Sequence, residues 1–115
     1  MTVLESINNL DDIAIQAGTF TELELPCYYS DGEEMELSTM TYGCTLSVYG
    51  DSTLLQNITG VIKSGTPNVM VISILSSYTE NLGDCLLVYR PYVIDGTKKF
   101  KWQGKLFIGA STPTL

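Results

Sequence analysis

Apolar and polar residues alternate most clearly near the end of the chain, in residues 85–108, CLLVYRPYVIDGTKKFKWQGKLFI. The pattern predicts two long strands joined at Asp95-Gly96, the dipeptide type that most readily supplies the positive backbone angles of a tight hairpin turn. On the second strand Phe100, Trp102, Gly104, Leu106 and Ile108 share one face, while Lys99, Lys101, Gln103 and Lys105 share the other. A strand that is dry on one face needs a second sheet to cover it, so the remaining members of a two-sheet structure are expected upstream.

Upstream the same period recurs. Leu23, Leu25, Cys27 and Tyr29 alternate with Glu22, Glu24 and Pro26, and the proline, which lacks a backbone donor, favours an edge strand or a bulge. After the turn Ser30-Asp31-Gly32-Glu33 come apolar contacts at Met35 and Leu37, then a strand in which Cys44, Leu46 and Val48 alternate with Thr45, Ser47 and Tyr49. Residues 54–62 and 69–75 predict two more strands, separated by the breaker Ser64-Gly65-Thr66-Pro67-Asn68. The run 69–75, VMVISIL, is apolar almost throughout, so its outer face is a candidate subunit contact. Residues 76–83 are too polar and short for a strand and suit one helical turn crossing between sheets. About seven short strands with turns at this spacing predict an all-β domain, an immunoglobulin-like antiparallel β-sandwich.

Residues 1–18 differ in character. Thr2 and Glu5 have capping-box spacing, and Leu4, Ile7 and Leu10 recur every third residue, which suits a short amphipathic helix or an extended N-terminal arm. An isolated helix of that length is marginal in water, so these apolar residues need cover from the domain itself or from a neighbour. An ordinary N-terminal strand with a frayed tip fits equally well. The expected division is an arm at 1–18, a sandwich at 19–109 and a tail at 110–115.

Composition narrows the classes of partner. A chain of 115 residues, 44% of them hydrophobic, has room for one core and one domain. Thirteen acidic residues against six basic ones, with no histidine, leave a net charge of −7, which argues against nucleic acid and anionic membranes as partners. The charge is unevenly spread: residues 1–62 hold ten carboxylates and no Lys or Arg, and residues 63–115 hold all six basic residues. Such polarity either orients the domain on charged neighbours or reflects two solvated sheet faces. Cys27, Cys44 and Cys85 cannot all pair within one chain; buried free thiols are expected, with a Cys44–Cys85 bridge left open. Neither a Cys-x-x-Cys spacing nor a histidine is present for zinc. The N-terminus lacks the basic region of a signal peptide and no run reaches transmembrane length, so synthesis and folding in a cytoplasm are expected.

Candidate chemistry is sparse. Without histidine there is no Ser-His-Asp or Cys-His arrangement, and no glycine-rich loop precedes a helix to cradle phosphate. Asp31, Glu33, Glu34 and Glu36 are the residue types for a calcium site or an acid–base pair, yet solvated carboxylates around a turn explain them as well. Tyr28, Tyr29, Tyr42, Tyr49, Tyr89, Tyr92 and Trp102 could line a sugar-binding face, although strand propensity and core packing account for most of them. No catalytic residue, metal or cofactor is therefore expected, and the domain is read as non-enzymatic.

One succession of signals carries a resemblance: Gly18-Thr19-Phe20, a strand ending at Tyr29-Ser30-Asp31-Gly32, Leu37 before a strand, Tyr49-Gly50-Asp51, Gly60, the apolar 69–75, Thr79-Glu80-Asn81-Leu82-Gly83, and Asp95-Gly96 before Gly104-Lys105-Leu106-Phe107-Ile108. In this order, over about residues 13–109, the chain resembles the small immunoglobulin-like domains of tailed-bacteriophage virions, found in upper-baseplate and tail-fibre adaptors and in head-fibre or capsid-decoration proteins. It departs from them at Asp84-Cys85, where a tyrosine often stands two positions after the turn glycine, and it ends at Leu115 where an adaptor carries a further domain. The resemblance implies a structural component of a phage particle, located in the virion and bound to capsid, neck or tail subunits, with capsid decoration or a head vertex expected and a tail adaptor as the alternative. A carbohydrate-binding module using Trp102 and exposed tyrosines is the alternative of another class. The expected contact residues are Leu4, Ile7 and Leu10 of the arm, Val69, Val71, Ile72 and Ile74 of the apolar strand, and Lys99, Lys101 and Lys105, with homo-oligomerisation a natural outcome.

Overall fold

The computed structural model describes residues 10–29, 31–51 and 53–109. Among these, nine strands form two sheets: β1 Ile13–Gln16, β2 Thr21–Pro26, β3 Thr41–Val48, β4 Leu54–Thr59, β5 Val61–Ile62, β6 Val69–Ile74, β7 Cys85–Asp95, β8 Lys98–Lys101 and β9 Gly104–Gly109. The large sheet has the order β1-β9-β7-β3-β4, with β8 also paired to β7, and the small sheet has the order β2-β6-β5. One helical turn, α1 Ser76–Thr79, carries the chain from β6 in the small sheet to β7 in the large one, as its polar composition suggested.

The closing hairpin is where local sequence determines most. Its loop is Gly96-Thr97, and Asp95 is the last strand residue, paired with Lys98. Gly96 has φ +62° while no described non-glycine residue has positive φ, the pattern of a turn with glycine at its first central position. Tyr92↔Lys101 and Tyr89↔Gly104 belong to one continuous register, so β8 and β9 are a single strand interrupted at Trp102. Proline chemistry explains the interruption. Trp102 N–H donates to the Pro91 carbonyl at 3.1 Å, and Pro91 has no N–H to return.

The all-β expectation holds, and two differences from the expected antiparallel arrangement stand out. Ile13–Gln16, assigned to the arm, form a strand of the large sheet, and that strand runs parallel to β9 in the register Ile13↔Leu106 to Gln16↔Gly109. The large sheet is therefore mixed. Pro26 behaves as its missing donor requires, since β2 pairs only with β6 and lies at an edge.

The sheets share one core. Leu23, Met70, Ile72 and Ile74 from the small sheet meet Cys44, Leu46, Leu87, Leu106 and Ile108 from the large one, with Met35 and Leu37 from the connecting segment. Each large aliphatic side chain removed from water there contributes roughly 1.5–3 kcal/mol. Gly60, where the chain leaves β4 for β5, sits so close beneath Tyr42 that an added Cβ would lie 2.8 Å from its ring and 3.1 Å from Ile72 Cδ1. Cys27, Cys44 and Cys85 are all free thiols, so the Cys44–Cys85 bridge is not formed. Burial pushes the Cys27 and Cys44 thiols up to about 12.

Candidate interaction surfaces

Because the two sheets face each other across the core, their outer faces look in opposite directions. The outer face of the large sheet is set by the parity of β7 and of its two partners. Positions Arg90, Tyr92 and Ile94 on β7 alternate with buried Tyr89, Pro91 and Val93, and Lys99, Lys101, Gln103, Lys105 and Phe107 alternate with Trp102, Gly104, Leu106 and Ile108. Four of the six basic residues thus lie on one sheet face. The paired strand positions on that face carry no carboxylate: β3 contributes Thr41, Gly43, Thr45 and Ser47, and β1 contributes Ala14 and Gln16.

Among the described residues the direct contacts of these cations are with neutral groups, and Asp12 lines a hollow with Lys105. Arg90 Nη1 donates to Ser47 Oγ at 2.7 Å and Nε to Gln103 Oε1 at 3.4 Å, both neutral acceptors. The Lys105 ammonium stands 5.5 Å from the centre of the Tyr49 ring. None of Arg90, Lys99, Lys101 and Lys105 forms an ion pair with a described carboxylate. Tyr92 lies across β3, its hydroxyl 3.4 Å from Asn57 Oδ1 on β4. Gly43 makes this possible, since a Cβ there would fall 2.7 Å from the Tyr92 hydroxyl. Arg90, Tyr92, Lys99, Lys101 and Thr45 line a shallow concavity of about 330 Å³. Toward the β9 end the same face becomes apolar, with Phe107 42% and Tyr49 55% exposed beside half-buried Leu86.

The outer face of the small sheet is the one the apolar strand was expected to offer, but with different members. Met70, Ile72 and Ile74 are fully buried, whereas Val69, Val71 and Ser73 face outward and are half-buried. Ile72 and Ile74 are therefore core residues, a correction to their assignment as partner contacts; pairing with Leu23 and Thr21 of β2 turns them inward. Beside Val71 lie Glu24 on β2 and Val61 on β5, and Glu22 lies beside Ser73. Phe20, Val61 and Leu75 are 58%, 63% and 40% exposed, an apolar strip with a carboxylate margin. Lys63 Nζ contacts Glu24 Oε1 at 3.0 Å, both side chains being about half exposed.

The expected contact residues are thus divided. Lys99, Lys101 and Lys105 come together on the large sheet with Arg90, while Val69 and Val71 lie on the far side of the body. Leu4 and Ile7 lie outside the described residues, as does the tail 110–115. Leu10 is attached to its own domain: it packs against the core and its N–H donates to Gln103 O at 2.6 Å. Arg90 was missed because it sits in an otherwise apolar run; counting back from the observed Gly96-Thr97 loop places it opposite Gln103. Glu22 and Glu24 alternate with apolar residues in the sequence, but their place beside the apolar strip follows from the β2–β6 register.

Other candidates receive local explanations. Trp102 is 4% exposed and cannot serve as a sugar platform. Tyr29 packs edge-on against Phe100 and donates to Asp95 Oδ2 at 2.9 Å, pinning its loop to the hairpin. In the acidic turn, Asp31 Oδ1 accepts from Glu33 N–H and Glu36 Oε2 from Ser38 Oγ. Among the described residues no group of three or more acidic, cysteine or histidine side chains converges to hold a metal. No helix among them is long and apolar enough to cross a membrane. No protein-family model matches this chain, and a search of the curated proteins finds no match to it.

Proposed function

We propose that the chain is an immunoglobulin-like domain serving as a structural component of a bacteriophage particle, held among neighbouring virion subunits as a capsid decoration or head-vertex protein. The strand order carries the fold part of this reading. A run β9-β7-β3-β4 facing β2-β6-β5 corresponds to the G-F-C-C′ and B-E-D sheets of variable-type immunoglobulin domains. Two outer faces, each joining exposed apolar area to charge, mainly basic on the large sheet and mainly acidic on the small one, support the role in binding neighbours, since apolar contact supplies affinity and charge sets orientation.

The test is immunogold labelling of gradient-purified particles with an antibody raised against the purified chain. Label on the head is the expected result. Label confined to the tail or baseplate would move the protein to the adaptor alternative, and unlabelled particles would sink the virion assignment altogether.

A further inference from the structure

The large sheet presents Arg90, Lys99, Lys101 and Lys105 with no carboxylate on its outer strand positions, although Asp12, just ahead of β1, lines a hollow with Lys105, in a chain whose net charge is −7. On the opposite side of the same body, β2 presents Glu22 and Glu24 next to the exposed strip of Phe20, Val61 and Leu75. Lys99 with Lys101, and Glu22 with Glu24, are each two residues apart on a strand, so both pairs of charges repeat at about 7 Å. Each face also carries apolar area beside its charges: Phe107, Leu86 and Tyr49 on one, Val61, Val69 and Val71 on the other.

We propose that the cationic outer face of the large sheet receives the acidic outer face of the small sheet from a second copy of this chain, so that copies associate head to tail. This deepens the structural role proposed above and rests on it by making the neighbouring subunit another copy. Charge complementarity selects the occupant. Glu22 and Glu24 supply the carboxylates that Lys99 and Lys101 lack, and the valine strip covers the apolar end. The Lys63–Glu24 contact is no obstacle, since an exposed ion pair of this kind is weak and readily exchanged. The two surfaces belong to different sheets, so the contact is heterologous and repeats from copy to copy, closing as a ring or continuing as a row.

Sedimentation velocity on the purified full chain, and on two variants, tests this. Lys99→Ser with Lys101→Ser removes two cations from one face only; Glu22→Ser with Glu24→Ser removes the two carboxylates from the other. The wild type is expected to form species larger than a dimer, and each variant alone to associate roughly tenfold more weakly. An equimolar mixture of the two variants retains one intact donor face and one intact acceptor face, so it is expected to stop at one-to-one dimers. A wild type that stays monomeric, or variants that both keep the wild-type mass, overturns the proposal. So does a monomer that binds immobilised heparin through Lys99 and Lys101, which would assign the face to a polyanion. None of these results bears on particle labelling, so failure here and failure of the virion role are read separately.

Discussion

The Tyr89 hydroxyl donates a 2.6 Å hydrogen bond to the carbonyl of Asp11, 78 residues earlier in the chain. Tyr89 is 2% exposed, so this bond ties the N-terminal segment to the central strand of the large sheet from inside the core. Tyr89→Phe leaves the ring in place and the Asp11 carbonyl without this donor. The expected loss is about 1–2 kcal/mol, seen as a fall of several degrees in Tm by calorimetry. An unchanged Tm would mean that water replaces the hydroxyl at no cost.

Gly104 faces Tyr89 across the β7–β9 pair, and a Cβ there would sit 2.5 Å from the ring. Gly104→Ala should therefore destabilise by about 1–3 kcal/mol, through displacement of a packed aromatic ring. In a Tyr89→Leu background the same change should cost measurably less, because the two residues share one space. Equal costs in both backgrounds, measured by urea unfolding, would show that the ring moves aside freely.

Ile72 and Val71 are neighbours on β6 that face opposite ways. Ile72→Ala is expected to cost about 2–5 kcal/mol, since it opens a cavity between the sheets. Val71→Ala, on the half-buried outer face, is expected to cost about 1 kcal/mol or less. Similar shifts in the urea midpoint for the two would contradict the inward parity of Ile72.

The buried thiols make alkaline pH destabilising. Cys27 and Cys44 are pushed from 9.0 to about 12 by burial, so between these values the unfolded chain gives up protons that the folded chain keeps. Their contribution is complete below pH 9 and is lost as pH rises toward 12, at roughly 2–3 kcal/mol per pH unit for the two together. Unfolding curves at successive pH values check this, with Cys27→Ala/Cys44→Ala expected to flatten the dependence. A thiol-specific alkylating reagent should modify half-buried Cys85 well before the other two at neutral pH.

The hairpin was legible because alternation and turn chemistry act over a few residues, but its loop is Gly96-Thr97, one position beyond the expected Asp95-Gly96. What escaped were features set by distant partners. Ile13–Gln16 read as part of an arm because a four-residue strand has little local signature; its pairing partner, β9, begins about ninety residues later. In VMVISIL nearly every side chain is apolar, so alternation carries no parity, and only the pairing of Leu23 with Ile72 decides which side faces the core. Pro91 is visible in the sequence, but its effect on Trp102 follows only from the register that places the two opposite one another. For the surfaces, the lysine column was readable from one strand, whereas Arg90 and the carboxylate margin needed the neighbouring strands to be known.

The parallel pairing of β1 with β9 has a mechanical consequence. Tension applied through the chain ahead of Ile13 and beyond Gly109 pulls these two strands in opposite senses along their own length, so their hydrogen bonds are loaded in shear and resist together. Single-molecule stretching should show one high rupture force for this clasp, lowered by Ile15→Pro, which interrupts the pairing with Ile108. A low, gradual extension would mean that the strands peel apart one bond at a time. A domain built this way is closed by its own two ends, and a pull on both tightens the load on the clasp before it reaches the core.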